Sequence, residues 1–300
     1  AVLAALLGNL ALAILKGVSA AITGSAAMLA ETFHSIADTG NQVLLFVGMR
    51  MARWPPDEDH PFGHGKNVYF WSFVVSVMLF TLGGAFSIWE GIRKVLHTGA
   101  AQPMRWAFFV LGGAVVFESI SLTVAARSFL KRKGKRSLGE YIAENRDPTL
   151  LTVLLEDTSA LISLGLAAAG LTLTELTGRM FWDGAASIAI GLLLVVVAVV
   201  LAVENHSLLM GESAPPDVLA RVVRAAREDP AVERVVGLRT MHLGPEAVLI
   251  VLQVGFRDTL GAADVESATE RLRGKVAEAA GEADKRRLVV IEPTVSAKAA

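Results

Sequence analysis

Residues 181–207 read FWDGAASIAIGLLLVVVAVVLAVENHS, and no residue between Asp183 and Glu204 carries a charge. A helix of about 20 apolar residues is long enough to cross the hydrocarbon core of a bilayer. This stretch therefore predicts a membrane-spanning helix. Five further runs of similar texture precede it, at about 1–23, 27–52, 68–96, 104–130 and 149–176.

Composition supports a membrane protein. The chain has 300 residues, of which 53% are hydrophobic and 19% charged, and its mean hydropathy is +0.51. That is too apolar for an ordinary soluble domain. The net charge of −1 gives no field that would attract nucleic acid. Cysteine is absent, so a disulfide framework and a cysteine nucleophile are excluded.

The first apolar run starts at Ala1 and leads straight into the second. It is longer than the core of a signal peptide, so we expect a spanning helix whose N-terminus is not intact. The sequence also shows no nucleophile–base pair, glycine-rich phosphate loop or H-E-x-x-H motif. We therefore do not expect an enzyme.

Basic residues predict the orientation. The loop after the second run holds Arg53 and Lys66, and the loop after the fourth holds the basic cluster 131–136. Loops rich in lysine and arginine stay in the cytoplasm. With six spans, both chain termini are then cytoplasmic, and the protein is integral and multi-pass.

After residue 212 charged residues become frequent and apolar runs shorten to strand length. We predict a six-helix membrane domain over 1–212 and a small α+β cytoplasmic domain over 213–300. The tail reads α-β-β-α-β, with a helix at Pro215–Arg227, strands at Glu233–His242 and Ala247–Phe256, a helix at Ala262–Ala280 and a strand at Leu288–Ile291.

Ionisable residues inside spans are costly and are functional candidates by default. His34 and Asp38 lie four residues apart in the second span, so they share one helix face. Asp157 in the fifth span can complete a site with them if the two helices pack together. One nitrogen and two oxygen ligands suit zinc, cobalt, iron or manganese. The alternative is a buried hydrogen-bonded pair with a structural role.

A second group lies in the loop DEDHPFGHGK at residues 57–66. Its two histidines stand four apart among three acids, which is a pattern of metal ligands. The alternative is a solvated loop at the membrane interface.

Four motifs carry a family resemblance. Gly24-Ser25, HSIAD at 34–38, LEDT at 155–158 and above all DHPFGHGK at 59–66 resemble the cation diffusion facilitators, in the branch of mitochondrial zinc-transporter-like proteins. The resemblance implies a homodimeric antiporter that exchanges Zn²⁺ or a similar cation for protons by alternating access. It also implies that the cytoplasmic domain is ferredoxin-like, as in metallochaperones.

The family's transport site takes an (i, i+4) pair of ligands from each of the second and fifth spans. His34 and Asp38 match the first pair, and Asp157 matches the second member of the other pair. Val153 stands where the fourth ligand belongs, so water, Glu156 or Asn41 has to complete the shell. We expect water before Glu156, which points about 100° away from Asp157 on an ideal helix.

The resemblance also implies a second metal site at Asp57, His60 and His64. A two-metal site that is frequent in the family's cytoplasmic domain is not expected here. Its matching positions carry Val236, Leu252 and Val290, with an acid at Glu292 alone.

Three other buried charges have less specific patterns. We expect Lys16 to extend toward the outer membrane interface and Asp183 to cap the start of the sixth helix. Glu118 either assists proton movement or bonds a neighbouring polar group.

Together these features predict efflux of a divalent cation through the bilayer, with protons as the counter-ion and no nucleic-acid partner. Zn²⁺ leads the candidate substrates, and Mn²⁺, Fe²⁺, Co²⁺ and Cd²⁺ remain open. The alternative is a regulatory or dimer-partner subunit that does not transport, which Val153 and the ligand-poor tail favour.

Overall fold

A computed structural model of the chain describes residues 2–97, 105–133, 148–245, 247–281 and 286–294. Helices occupy all six predicted runs. They are α1 (Val2–Thr23), α2 (Ala26–Ala52), α3 (Asn67–Met78), a π-helical segment (Leu79–Ala85), α4 (Phe86–Leu96), α5 (Arg105–Lys133), α6 (Pro148–Thr177) and α7 (Phe181–Met210).

Among the described residues, four helical stretches are long and apolar enough to cross a membrane, namely 67–96, 105–131, 154–177 and 181–210. The described apolar part of α1, Gly8–Thr23, is shorter. Helix α2 is continuous, but the ionisable residues Glu31, His34 and Asp38 interrupt its apolar sequence. The helical membrane character is thus established, while the count of six spans is not.

The described chain divides into two units. The first contains the chain up to Gly48, the stretch from Phe70 through α5, and α6 and α7 as far as His206. The second contains Met49–Tyr69 and the chain from Ser207 onward. The predicted domain boundary at 212/213 rests on the change in amino-acid composition along the chain and stays a prediction.

Apolar side chains of several helices form the core of the first unit. Met28, Leu164, Ile190 and Leu194 are fully buried there. Large apolar side chains also cover the outside of the helices, as expected for a surface that faces lipid rather than water. They include Phe109, Val116, Ile120, Val196 and Val203.

Glycines allow α4 and α7 to cross closely. A Cβ on Gly91 would lie 2.7 Å from the carbonyl oxygen of Gly184, and one on Gly191 would lie 2.8 Å from that of Gly84. Small residues at such crossings let helix backbones pack tightly in membranes. A larger residue at any of these positions would push the two helices apart.

The second unit contains the α+β tail, whose elements follow the predicted order. They are α8 (Pro216–Arg227), β1 (Val232–Gly244), β2 (Ala247–Phe256), α9 (Ala262–Ala279) and β3 (Arg286–Pro293). The sheet order is β1-β2-β3, with β1 antiparallel and β3 parallel to β2. Buried Ile250 and Leu252 of the central strand pack against Leu272 and Val276 of α9.

Asp229 ties the start of the sheet to α9. Burial raises the pKa of this carboxyl, but hydrogen bonds from Lys275, the Ala231 backbone N–H and Arg271 outweigh it and leave the pKa below its ordinary value. The carboxylate therefore stays ionised and holds both cations of α9.

Candidate metal centre

One face of α2 carries the polar groups that the sequence singled out. His34 is fully buried, and its Nδ1 lies 3.6 Å from Oδ1 of Asp38. This distance is too long for a hydrogen bond. The helix places both groups side by side because they are four residues apart.

Several polar atoms on this face are buried and have no hydrogen-bond partner among the residues that the structure describes. They are both ring nitrogens of His34, Oδ1 of Asp38 and Oδ1 of Asn41. A buried polar atom without a partner costs about 1–3 kcal/mol, so native proteins tolerate it mainly where function requires it. These atoms are potential ligands of a cation, and their chemistry is the nitrogen-plus-oxygen set expected for a divalent metal.

The two acids of α6 face different neighbours. Glu156 accepts a hydrogen bond from Nδ2 of Asn41, so it points at α2. Asp157 accepts one from Ser121 of α5 at 3.0 Å. The carboxylates of Asp38, Glu156 and Asp157 nevertheless act on one another electrostatically. The direct link between α2 and α6 at this level thus comes from Glu156, which the sequence ranks below water as a ligand.

Within the described residues, His34, Asp38 and Asp157 do not form a group as tight as the loop site below. Their helices are nonetheless joined by side-chain hydrogen bonds, since Asn41 binds Glu156 and Glu31 accepts from Ser163. The side chain of Val153 lies outside the described residues.

Lys16 is buried inside the first unit, so the expectation that it reaches the membrane interface is wrong. Its ammonium donates to Glu31 at 2.9 Å and to Ser35 at 2.8 Å, and both Lys16 and Glu31 are fully buried. Glu31 also accepts a hydrogen bond from Ser163 of α6. The pair joins α1, α2 and α6 one turn before His34. Its partners are 15 residues apart on different helices, so no local spacing could have shown it.

Asp183 caps a different helix from the expected one. It accepts hydrogen bonds from Ser25 and from the backbone N–H groups of Ala26 and Ala27, at the start of α2. The side chain therefore accepts hydrogen bonds from the first N–H groups of α2, the helix that carries His34, and these groups have no partner within their own helix. It does not cap the helix to which Asp183 itself belongs. Lys94 holds the same turn by donating to the carbonyl of Gly24.

The loop residues form a compact group in the second unit. Oδ1 of Asp57 lies 3.2 Å from Nδ1 of His60, and Oδ2 lies 2.9 Å from Nε2 of His64. Potential ligand atoms of all three residues lie within 4.8 Å of one another. Asp57 and His60 are half exposed, whereas the His64 side chain is 9% exposed.

The local backbone explains how the loop brings them together. Gly63 adopts a φ of +89°, which favours glycine, and the turn is closed by its N–H on the carbonyl of His60 at 2.9 Å. Gly65 packs directly against the β1–β2 turn, where a Cβ would lie 2.5 Å from the carbonyl oxygen of Leu243. The loop is therefore fixed against the sheet.

Electrostatics keep Asp57 available as a ligand. The hydrogen bond that Asp57 accepts from the His64 ring, with that from the His60 backbone N–H, holds the pKa of Asp57 below its ordinary value. The carboxylate is thus ionised at neutral pH, as metal ligation requires.

The sequence profile of the cation efflux transmembrane domain matches residues 2–210. The chain belongs to the cation efflux family. This confirms the resemblance to the cation diffusion facilitators that the motifs predicted.

Several individual proteins are similar in sequence to this cation efflux protein. It is 34% identical over 236 residues to the mitochondrial proton-coupled zinc antiporter SLC30A9 of Xenopus laevis, and 33% identical over 238 residues to that of Homo sapiens. The match covers 78% of this chain and 42% of each relative. Metal tolerance protein C4 of Arabidopsis thaliana is 31% identical over 236 residues, with 78% and 52% covered. The chain thus spans about half or less of the length of these relatives.

Proposed function

We propose that this cation efflux protein carries a divalent metal cation across a membrane in exchange for protons, with Zn²⁺ as its first substrate. The main support is the α2 face, where buried atoms of His34, Asp38 and Asn41 have no hydrogen-bond partner within the described part of the chain. The relatives named as proton-coupled zinc antiporters support the same chemistry.

The transport site in this proposal takes His34, Asp38 and Asp157 as ligands. An imidazole and carboxylates also accept Mn²⁺, Fe²⁺, Co²⁺ or Cd²⁺, because affinity alone does not select among divalent metals. Asp57, His60 and His64 form a second site, which gathers the cation on the cytoplasmic side. Measuring how many zinc ions bind per protein tests this second assignment. We expect a His60→Ala/His64→Ala variant to bind one ion fewer than the unaltered protein.

Proton exchange follows from the ligand chemistry. A protonated imidazole or carboxyl group cannot bind the metal, so metal binding releases protons and protonation releases metal. The same residues therefore serve both ions in turn. Alternating exposure of the site to the two sides of the membrane then couples the two fluxes in opposite directions.

The proposed arrangement has six spans, with both ends of the chain and a ferredoxin-like domain at 213–300 in the cytoplasm. The helices at all six apolar runs support it, as does the basic cluster that begins at Lys131. The protein is proposed to act as a homodimer, as the family resemblance implies. Cysteine accessibility from each side of the membrane, measured at single introduced cysteines, tests the orientation.

Purified protein in sealed vesicles tests the transport proposal. We expect Zn²⁺ flux that accelerates under an imposed pH gradient with protons moving the opposite way. A rate of zinc flux that does not change with the imposed pH gradient would contradict exchange with protons.

The second candidate is a membrane subunit that regulates or partners a transporter without transporting. Val153 at the position of a family ligand favours it. The same vesicles separate the two candidates, because a subunit of this kind gives no metal flux when it is the sole protein present.

A further inference from the structure

Asn41 connects the ligand face of α2 to α6. It lies three residues after Asp38, roughly one turn further along the same face, and it is 2% exposed. Its Nδ2 donates to Oε1 of Glu156, while its own Oδ1 is buried and finds no partner among the described residues. The hydrogen bond directs the Glu156 carboxylate toward the helix that carries His34 and Asp38.

Acidic side chains interact with one another in the same region. The carboxylate of Glu156 acts electrostatically on those of Asp38 and Asp157. Ionised carboxylates that share one poorly solvated region repel one another, and either protons or a cation among them relieve the repulsion. A divalent cation close to Asp38 would therefore attract Glu156 as well as Asp157.

The two acids of α6 differ in how they are held. Asp157 is turned to α5 by its hydrogen bond with Ser121. Glu156 is held from α2 through one carboxylate oxygen, Oε1, by Asn41. A carboxylate has two oxygens that each accept, so Oε2 of Glu156 is available to a cation while Asn41 keeps Oε1.

We propose that Glu156 is a ligand of the transported cation and that Asn41 is its positioning residue. The inference rests on the proposed function. It supplies the ligand that the family places at position 153 and that Val153 cannot offer. The shell then consists of His34, Asp38, Glu156 and Asp157.

This shell has one nitrogen donor and up to three carboxylates. Oxygen donors suit the harder ions of the divalent series, whereas nitrogen donors favour zinc and its neighbours. A site of this kind binds Mn²⁺ and Fe²⁺ relatively better than one with two histidines. Glu156 is therefore also the residue that sets the preference among these metals.

Titration calorimetry on the purified protein tests the inference, with Zn²⁺ and Mn²⁺ as probes. A His60→Ala/His64→Ala background removes the loop site from the signal. Altering a group that merely supports a metal ligand already costs about 10–100-fold in affinity. We therefore expect Glu156→Gln to weaken Zn²⁺ binding at least about tenfold, and Mn²⁺ binding by a larger factor. The matched control is Glu175→Gln, an exposed acid on the same helix, which should bind both metals as the background does.

Two further variants guard against a fold defect. Glu156→Asp keeps the charge and shortens the reach, and we expect a smaller loss of Zn²⁺ affinity in the same direction. Asn41→Ser should weaken binding without removing any carboxylate. Unchanged affinity and metal preference in Glu156→Gln, alongside lost binding in Asp38→Ala, would overturn this inference and leave the proposed function standing. Unchanged binding in Asp38→Ala would contradict the proposed function itself.

Discussion

Replacing Asp38 and Asp157 together by alanine is expected to abolish metal transport. The double change removes two of the carboxylates that we propose as ligands, one from α2 and one from α6. Altering a group that only supports a metal ligand costs about 10–100-fold in affinity or activity, so loss of two direct ligands should exceed the upper end of that range. Zinc flux in vesicles of purified protein measures the effect.

The control for this experiment removes a carboxylate far from the site. Asp217 in α8 is a surface acid that pairs with Arg221. Asp217→Ala should transport at the rate of the unaltered protein. Flux that survives in the Asp38→Ala/Asp157→Ala variant would refute the assignment of the site, provided both variants are monodisperse and equally incorporated.

Lys16→Met is expected to destabilise the protein by about 3–5 kcal/mol, because it leaves the Glu31 carboxylate buried without its counter-charge. Lys16 and Glu31 are both fully buried and 2.9 Å apart. Thermal unfolding of the purified protein in detergent should show a clear fall in Tm.

Two controls show whether charge balance is the cause. Lys16→Met/Glu31→Met removes both charges and should recover most of the lost stability, since buried pairs can often be replaced by apolar residues. Arg273→Met breaks an exposed pair with Glu270 and should have little effect. If Lys16→Met unfolds at the temperature of the unaltered protein, the buried pair does not support the packing of α1, α2 and α6.

The positions of the helices could be predicted from the sequence because long apolar runs leave a chain in a bilayer few alternatives. The order of helices and strands in the tail could also be predicted, because short apolar runs alternate with turns there. Strand β3 extends beyond the predicted Leu288–Ile291 on both sides. The residues that extend it are Arg286, Arg287, Glu292 and Pro293. They do not continue the apolar run, so hydrophobicity could not show that they pair with β2. The π-helical segment at Leu79–Ala85 has no clear sequence signal.

The candidate site, too, could be predicted only in part from the sequence. His34 and Asp38 were predictable because their spacing lies within one helix. The contacts of Lys16 with Glu31, of Asp183 with the start of α2, and of Asn41 with Glu156 each join distant helices. Such contacts depend on how helices pack, which helix periodicity does not contain. This is why the sequence places Lys16 at the membrane interface and does not show the contact of Asn41 with Glu156.

Proton release on zinc binding shows directly whether metal and protons exchange at the proposed site. Purified protein with His60→Ala/His64→Ala, in weakly buffered solution, receives Zn²⁺ while the pH is recorded. The account predicts that each zinc bound releases roughly one or more protons, because the ligands must lose them to bind the metal. Adding His34→Ala and Asp38→Ala to this background should remove both the binding and the release. Stoichiometric zinc binding at an unchanged pH, across the range in which transport occurs, would contradict exchange of metal for protons at this site.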